Sequence, residues 1–507
     1  MTSVKQEKFN YQSTYPEDNF ESAYEDFLQN HAEYKKSCLL SKWRETEYKR
    51  LDENQQIYLD YTGGGLYASS QLKQHLSLLE HKVLGNPHSA NPTSQAMTDM
   101  VEDARNYVLK YFNTDSDKYI AVFTANASGA LKLVGESYPF NSGTQYALTF
   151  DNHNSVNGIR EYARKKGARI KYIPVDIPDL RLQQQSLFSV LDTADRTSHN
   201  LFAYPAQSNF SGDKHSLDWI KTAQNKGWDV LLDAAAFVPA NKLDLNVYNP
   251  DFVCISFYKM FGYPTGIGAL LIRKDVCKKL IRPWFSGGTV NFASVQGNAH
   301  VLAQNEAAFE DGTVNYLNIP AIKTGLQHLE KAGIESISVR ITALTDWLLK
   351  HLYTLQHSNG RSMIRLYGPA NTEQRGATIS LNIYSPDGHL LDYRRIEELA
   401  NEKGISLRTG CFCNPGAGEA AEELTAEDMH AAFKEGDEIN LPRFLQIIQH
   451  RENKSAGAIR ISLGIASNFA DVYRFLSFAS TFRDKNNLNI GKATMDIAGC
   501  RVIRDGS

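Results

Sequence analysis

The stretches WDVLLDAAAFVPA (228–240) and DFVCISFYKMFGYPTGIGALLIRKD (251–275) decide the fold. The first is an apolar run of strand length that ends in Asp233, and the second contains two such runs on either side of Lys259. Apolar runs of this length between turn residues predict buried strands. Because ligands in open α/β sheets bind at the carboxyl ends of the strands, we expect Asp233 and Lys259 to reach one crevice.

An order of strand, small-residue turn and helix recurs before this region, in residues 119–176. Strands that alternate with helices predict an α/β fold with a mainly parallel sheet. Beyond about residue 320, amphipathic helices precede two further strands, which indicates an α+β arrangement. The stretches that contain predicted strands are 57–65, 119–134, 146–167, 168–176, 200–212, 228–240, 251–262, 267–275, 377–388 and 458–465.

The chain is long enough for two lobes. We predict an N-terminal helical segment, a large domain with a mainly parallel sheet and a smaller α+β domain, at residues 1–55, 56–325 and 326–507 respectively. The first of these contains predicted helices at 20–36 and 42–51. The acidic stretch 414–457 is expected to be a solvated helical insertion without a chemical role.

Composition excludes several classes of protein. The formal net charge of the 507 residues is −3, which argues against a nucleic-acid partner. No apolar run approaches the length that spans a bilayer, and the N-terminal residues lack the apolar core of a signal peptide. Six cysteines, mostly scattered, do not form a disulfide framework. We therefore expect a cytoplasmic protein without a membrane partner.

Asp233 and Lys259 suggest a cofactor site. A carboxylate at the end of an apolar strand is costly unless it meets a cation, and a protonated pyridine nitrogen is such a partner. A desolvated lysine has a lowered pKa and becomes nucleophilic toward an aldehyde. The residues alone leave two alternatives open: Asp233 caps the following helix, or Lys259 extends along the surface.

The turn in FTANASGALKLV (123–134) is a candidate phosphate site. It places Ala127 and Ser128 at the start of a helix, where free N–H groups and the helix dipole favour an anion. Ser256 adds a second hydroxyl three residues before the lysine, and His153, which follows a strand, is placed to stack on a ring. An ordinary helix cap and a structural histidine are the alternatives.

Taken in order, these features resemble the class V aminotransferase-type enzymes that use pyridoxal phosphate (PLP), in particular the cysteine desulfurases. The similarity runs from about residue 55 to 480 and is greatest to the N-terminal, desulfurase-like portion of molybdenum cofactor sulfurases. It implies the fold type I of PLP enzymes. The motifs that carry it are GNPHSANPTS (85–94), LLDAAAFV (231–238), SFYKMFGYPTGIGALL (256–271), FSGGTVNF (285–292), FEDGTVNYLNIPA (309–321) and LRTGCFCNPGA (407–417).

The resemblance implies a role for each candidate residue. Lys259 would hold PLP as a Schiff base, Asp233 would bond the pyridine nitrogen, and His153 would stack on the ring. Asn209 would contact the ring hydroxyl. The phosphate would be held by Ala127, Ser128, Ser256 and Tyr258, together with Gly288 and Thr289 from the second subunit of a homodimer. Two positions depart from the family pattern, which has glutamine at Ala236 and histidine at Tyr258.

The loop LRTGCFCNPGAG (407–418) contains Cys411 and Cys413. Without a second cysteine pair, a structural zinc site is disfavoured, so we predict no metal. A redox pair lacks the usual spacing, and a thiolate nucleophile, favoured by nearby Arg408, is the third interpretation. The resemblance implies that Cys413 accepts sulfur from L-cysteine as a persulfide and that L-alanine is released. It also implies that Arg460, together with Arg408, binds the substrate carboxylate.

Three functions remain open at this point. The resemblance favours a cysteine desulfurase-like sulfurtransferase that passes sulfur to a separate acceptor protein. The alternative is a PLP-dependent lyase or aminotransferase that acts on another amino acid. A catalytically silent partner protein is the third interpretation, and the presence of both Lys259 and Asp233 argues against it.

Overall fold

A seven-stranded sheet lies at the centre of the computed structural model, which describes residues 15–16, 19–433, 457–486, 488, 493–496 and 501–504. Six strands run in one direction, and Gly268–Arg273 runs antiparallel to both of its neighbours. This confirms the predicted mainly parallel α/β fold. The spatial order of the strands is Tyr119–Thr124, Gly268–Arg273, Phe252–Ser256, Trp228–Asp233, Asn200–Pro205, Gln145–Thr149 and Arg169–Ile173.

Both faces of this sheet are covered. Alternate residues of one strand belong to two different apolar clusters: Ala121 and Phe123 pack on one side, whereas Ile120 and Val122 pack on the other. Strands that are buried on both faces must be apolar at every position, which explains their continuous apolar runs. The helices around the sheets are Phe20–Asn30, Cys38–Thr46, Arg50–Glu53, Ser69–His81, Pro92–Tyr111, Ala127–Ser137, Asn154–Asn157, Ile159–Lys165, Gln184–Leu191, Asp218–Asn225, Leu245–Tyr248, Phe257–Phe261, Lys274–Cys277, Pro320–Ala332, Ile334–Thr354, Tyr393–Asn401, Pro415–Ala421, Ala426–Phe433 and Phe469–Ser480, with 3₁₀ helices at Ala32–Ser37 and Asn305–Ala308.

A second, four-stranded antiparallel sheet lies in the C-terminal part of the chain. Its order is Ile364–Tyr367, Thr378–Ile383, Ala458–Ser462 and Arg408–Gly410. The middle two strands were predicted, and the outer two were not: Ile364–Tyr367 was missed, and Arg408–Gly410 was taken as part of the cysteine loop. Four short pairs complete the strands: Ile57–Tyr58 with Ile405–Ser406, Val175–Asp176 with Arg181–Leu182, Val290–Ser294 with Ala299–Leu302, and Ala493–Asp496 with Arg501–Arg504.

Lys259 follows the strand Phe252–Ser256, as predicted, and lies in the short helix Phe257–Phe261, because strand pairing stops at Ser256 and Gly262, with φ of 78°, ends the helix. Two local predictions need correction. The N-terminal pattern forms separate short helices instead of two long ones. Helix Pro415–Ala421, at the start of the predicted solvated stretch, is largely buried, because Gly416 lies against the backbone of Phe150, the residue that follows the strand Gln145–Thr149. Residues 434–456 of that stretch lie outside the described part of the chain.

The division into three parts at residues 55 and 325 stays a prediction. Among the described residues, no helix is both long and apolar enough to cross a bilayer.

Candidate active site

A cavity of about 140 Å³ lies at the carboxyl ends of the parallel strands. Asp233 and Ser256 are the last residues of two neighbouring strands, and Asn209, His153 and Ser128 follow three others. Each of these five side chains lines the cavity. The expectation that strand ends bring the candidate residues together is therefore met in the structure. The full lining is Asn126, Ala127, Ser128, Leu131, His153, Ser155, Pro205, Gln207, Asn209, Asp233, Ala235, Ala236, Ser256, Tyr258 and Lys259.

Lys259 lines the cavity from the helix that follows the strand Phe252–Ser256. Its ammonium forms no ion pair or hydrogen bond with the described residues. Burial lowers the pKa of Lys259, and the carboxylate of Asp233 opposes that shift. Burial thus shifts Lys259 toward the neutral amine, which is the form that attacks a carbonyl carbon.

Asp233 keeps one carboxylate oxygen available to the cavity. Its Oδ1 accepts a hydrogen bond from the backbone N–H of Ala235 at 3.0 Å, whereas no described donor bonds its Oδ2. This contact is a local turn and not a helix cap, since residues 234–244 do not begin an α-helix. The free oxygen suits a cationic N–H donor inside the cavity.

The start of helix Ala127–Ser137 forms an anion-binding cradle. The Ala127 N–H donates to the Ser256 hydroxyl at 2.9 Å, and the Asn126 side chain accepts from Gly129 N–H at 3.0 Å. The N–H of Ser128 has no acceptor among the described residues, and its hydroxyl lies 2.6 Å from that of Ser155. A helix start with a free N–H and three hydroxyls suits a phosphate group.

His153 has a structural contact as well as a place in the cavity. Its Nδ1 accepts a hydrogen bond from Ser155 N–H at 3.1 Å and so caps the helix Asn154–Asn157. Burial lowers the pKa of His153, with Asp233 opposing and Lys259 adding to the shift. The ring is therefore favoured in its neutral form with hydrogen on Nε2, because Nδ1 acts as the acceptor.

The cysteine loop is attached to the wall of the cavity by its backbone. Asn209 Nδ2 donates to the carbonyl of Phe412 at 2.8 Å, and Asn154 N–H donates to the carbonyl of Cys413 at 2.7 Å. Asn414 Nδ2 donates to Asn209 Oδ1 at 2.8 Å and also to the carbonyl of Asp151 at 2.7 Å. Four hydrogen bonds thus connect the loop to residues that follow two strands of the central sheet.

The loop holds its two cysteines at the surface. Phe412 is buried against Phe210, with 5.4 Å between ring centres, whereas Cys411 and Cys413 are exposed and neither lines the cavity. Phe412 and Cys413 have φ of 55° and 54°. This left-handed conformation costs energy for every residue other than glycine. The loop is therefore not extended, and the contacts above hold it in a strained shape.

The two loop thiols differ in their surroundings. Desolvation raises the pKa of the Cys411 thiol, although its side chain reaches the surface. Cys413 lies within electrostatic range of Arg460, which is a favourable neighbour for a thiolate. The two thiols therefore differ in that Cys411 is the more desolvated, whereas Cys413 has a buried guanidinium nearby.

Arg460 and Arg408 lie directly opposite each other on adjacent strands of the second sheet. Arg460 is buried and donates to the carbonyl of Asn209 at 3.1 Å and to Asp60 Oδ1 at 2.9 Å. Arg408 is half-exposed, and its guanidinium is bound to the same carboxylate, with 2.7 Å between its Nη2 and Asp60 Oδ2. The candidate substrate-binding arginines therefore share one counter-ion.

Gly288 and Thr289 do not line the cavity of their own chain. Thr289 is buried within its own loop, where its hydroxyl accepts from Ser286 N–H at 2.8 Å. If these two residues contact a phosphate, the cavity that holds it belongs to a second subunit.

Comparison with known proteins identifies the family. Residues 57–475 match the family model described as aminotransferase class V. The chain belongs to the class V aminotransferase family.

Curated relatives of this class V family member are longer than the chain itself. It is 37% identical over 480 residues to the molybdenum cofactor sulfurase of Arabidopsis thaliana, a match that covers 86% of the chain and 57% of the relative. It is 34% identical over 464 residues to the molybdenum cofactor sulfurase of Homo sapiens, with 87% and 51% covered. The chain thus spans between half and three fifths of the length of these relatives.

Solved structures show the same fold for this class V family member. The apo cysteine desulfurase from Thermococcus onnurineus NA1 superposes with a TM-score of 0.71 at 22% identity, covering 87% of the chain and 97% of that structure. The cystine C-S lyase C-DES superposes with a TM-score of 0.64 at 18% identity, covering 84% and 98%. These likenesses confirm the predicted PLP-enzyme fold.

Four residues of this site were not identified from the sequence. Ser155 and Gln207 line the cavity, Asn414 secures the cysteine loop, and Asp60 joins the two arginines. Asp60 ends an apolar stretch just as Asp233 does, so the same signal could have found it. The other three are polar residues next to recognised candidates, and only their contacts distinguish them from ordinary loop residues.

Proposed function

We propose that this protein is a PLP-dependent sulfurtransferase of the cysteine desulfurase type, which forms a persulfide on Cys413 from L-cysteine and releases L-alanine. One observation carries the proposal: Lys259 and Asp233 share a cavity whose wall, at Asn209, also holds the backbone of the cysteine loop. The names of the relatives, molybdenum cofactor sulfurases, and the fold shared with a cysteine desulfurase support it.

The residues of the cavity fit PLP group by group. Lys259 offers an amine to the aldehyde, and the free oxygen of Asp233 offers an acceptor to the protonated pyridine nitrogen. The Ser128 N–H and the neighbouring hydroxyls suit the phosphate. The His153 ring lines the same space and would stack on the cofactor.

When bound, PLP supplies an electron sink that weakens the bond between Cβ and sulfur in a cysteine substrate. Lys259 Nζ lies at the cavity and would accept the α-proton of the substrate, a role that the lowered pKa of its buried amine supports. Asp233 keeps the pyridine nitrogen protonated, which maintains the sink. Arg460 orients the substrate by its carboxylate, because a guanidinium fork matches carboxylate geometry.

Cys413 completes the reaction as the sulfur acceptor. Its thiolate attacks the sulfur of the substrate and a sulfur–sulfur bond forms. The bond between Cβ and sulfur breaks with its electron pair left on the substrate, and Cβ then takes up a proton, which gives alanine. The sulfur of Cys413 lies outside the cavity, so the loop must move for the attack. We infer that the persulfide sulfur then passes to an acceptor protein.

We also infer a homodimer in which Gly288 and Thr289 complete the phosphate site of the second subunit. Apolar side chains next to this loop are exposed in the single chain: Trp284 by 51%, Phe285 by 42% and Phe292 by 61%. Such a patch suits a protein partner, and a second copy would cover it while bringing the loop to the other cavity. The free thiols of the described cysteines suit a reducing, cytoplasmic setting.

A carbon–sulfur lyase is the second candidate. Neither loop sulfur lines the cavity, and one structure with this fold is named a cystine C-S lyase. A lyase expels its leaving group without a protein nucleophile.

The two candidates differ in their dependence on Cys413. We expect PLP-loaded protein to convert L-cysteine to L-alanine and to carry one extra sulfur on Cys413, located by mass spectrometry. Cys413→Ser should abolish alanine release, whereas Cys411→Ser, the matched control in the same loop, should keep the persulfide on Cys413. Undiminished alanine release by Cys413→Ser would contradict the sulfurtransferase. Pyruvate and sulfide in place of alanine would establish the lyase.

A further inference from the structure

Asp60 lies where the N-terminal part of the chain crosses the second sheet. It follows the short strand Ile57–Tyr58, and its backbone bridges to Ser462 on the strand that carries Arg460. A side chain at Gly63 would overlap the carboxylate of Asp60, so only glycine leaves room for that carboxylate at this position of the turn. The side chain of Asp60 is only 12% exposed.

The carboxylate of Asp60 separates two guanidinium groups. Arg408 and Arg460 are cross-strand partners, and like charges in that position repel each other. Asp60 Oδ2 accepts from Arg408 Nη2 at 2.7 Å and from its Nε at 3.0 Å, while Oδ1 accepts from Arg460 Nη2 at 2.9 Å. One carboxylate therefore holds both arginines in fixed positions.

This arrangement leaves one positive charge and one free donor. The two guanidinium groups and the one carboxylate that they share sum to a single positive charge. A further carboxyl in the field of Arg408, that of Glu397, is bound by the hydroxyl of Thr409 and by neither arginine. Arg460 Nε is buried and has no hydrogen-bond partner among the described residues. The remaining positive charge and the unbonded Nε–H of Arg460 match one carboxylate of a bound amino acid.

The same group also acts on the lysine site. The positive charges of Arg460 and Arg408 add to the lowering of the Lys259 pKa, and Asp60 opposes them. Tyr258, the residue before the lysine, lies in the field of both Arg408 and Asp60. The carboxylate thus stands at the junction of the substrate arginines and the cofactor lysine.

We propose that Asp60 is a specificity-determining positioning residue, which neutralises Arg408 and so matches the substrate site to an amino acid with a single carboxylate. This inference rests on the proposed amino-acid substrate and on Arg460 as its carboxylate site. It does not depend on the fate of the sulfur. Amino acids that carry a second negative charge are disfavoured because Arg408 is already paired.

The test compares binding of L-alanine and L-aspartate to PLP-loaded protein by isothermal titration calorimetry. The wild type should bind L-alanine more tightly than L-aspartate. Asp60→Asn frees Arg408 and should shift the ratio of the two affinities toward L-aspartate by roughly tenfold, the effect of one added charge contact in a partly solvated site. A merely structural defect would weaken both ligands and leave the ratio unchanged.

A double variant and a matched control isolate the charge. Asp60→Asn combined with Arg408→Gln restores the net charge and should return the ratio to within about twofold of wild type. Asp52→Asn is the matched control. Asp52 lies outside the site and accepts two hydrogen bonds from Arg44, at 2.9 Å from Nε and 2.7 Å from Nη2, so its loss should leave the affinity ratio unchanged.

An unchanged ratio in folded Asp60→Asn overturns the proposal. If Asp60→Asn does not fold, Arg408→Gln alone decides: it should weaken L-aspartate more than L-alanine, and equal weakening overturns the proposal. Both ligands are bound without desulfuration, so a protein that binds them as expected but releases no alanine from L-cysteine contradicts only the proposed function.

Discussion

Replacing Asn209 with alanine should release the cysteine loop. The side chain donates to the Phe412 carbonyl and accepts from Asn414, in both cases at 2.8 Å, and it is buried. It therefore supplies two of the four hydrogen bonds that hold the loop against the cavity wall.

The magnitude follows from these contacts. A buried hydrogen bond contributes about 1 kcal/mol net, so the loss of two should favour the open loop by about 2 kcal/mol, or roughly thirtyfold. The strain of the left-handed backbone at Phe412 and Cys413 favours opening equally in both proteins, so it leaves this ratio unchanged. The rest of the fold should be unaffected.

Hydrogen exchange at the amide of Asn154 measures the opening. This N–H donates to the carbonyl of Cys413 and is exposed when the loop departs. Its exchange should accelerate by roughly thirtyfold in Asn209→Ala and stay at the wild-type rate in Asn113→Ala, a control that removes an exposed asparagine contact to Asp244. Equal rates in wild type and Asn209→Ala would refute the reasoning.

Three further predictions follow from the site and its supports. Asp233→Asn should still bind PLP, judged by its visible absorbance, but lose alanine release at least about a hundredfold because the pyridine nitrogen is no longer kept protonated; activity near wild type would contradict this. Burial raises the pKa of Glu422 to about 7, so the folded protein holds this proton more tightly than the unfolded chain, whose pKa is about 4.3. The protonated carboxyl therefore favours folding fully below about pH 4.3, and that contribution is lost as the pH rises through 7. Thermal melting should therefore show Glu422→Gln stabilised at pH 8 and little changed at pH 4, whereas the same shift at both values would argue against titration of this group. If Thr289 serves the second subunit, sedimentation should show a dimer and Thr289→Ala should weaken PLP binding, and a fully active monomer would exclude that role.

The strand ends of the central sheet were predictable because their signal is local. Asp233 ends a long apolar run, and the turn at Ser128 follows another, so the pattern alone placed both at one edge of the sheet. Lys259 was correctly predicted to follow a strand at that edge, but the short helix that contains it was not predicted. Its neighbours are as apolar as the strand before it, and only the loss of strand pairing marks the change to a helix.

The contacts between distant parts of the chain were not predictable. Asp60 meets Arg460 across 400 positions of sequence, and Asn209 meets Phe412 across 203. The strand Ile364–Tyr367 was missed because its four residues include an arginine and show no long apolar run. Its pairing with Thr378–Ile383 supplies the stability that its own sequence does not indicate.

The most direct test of the account is the visible absorption spectrum of the purified protein after reconstitution with PLP. A band from cofactor bound to Lys259 should be present in the wild type and should disappear in Lys259→Ala. Mass spectrometry after borohydride reduction should place the cofactor on the peptide that contains Lys259. A wild-type protein that shows no such band when supplied with PLP, or a Lys259→Ala protein that keeps it, would contradict the assignment of this cavity.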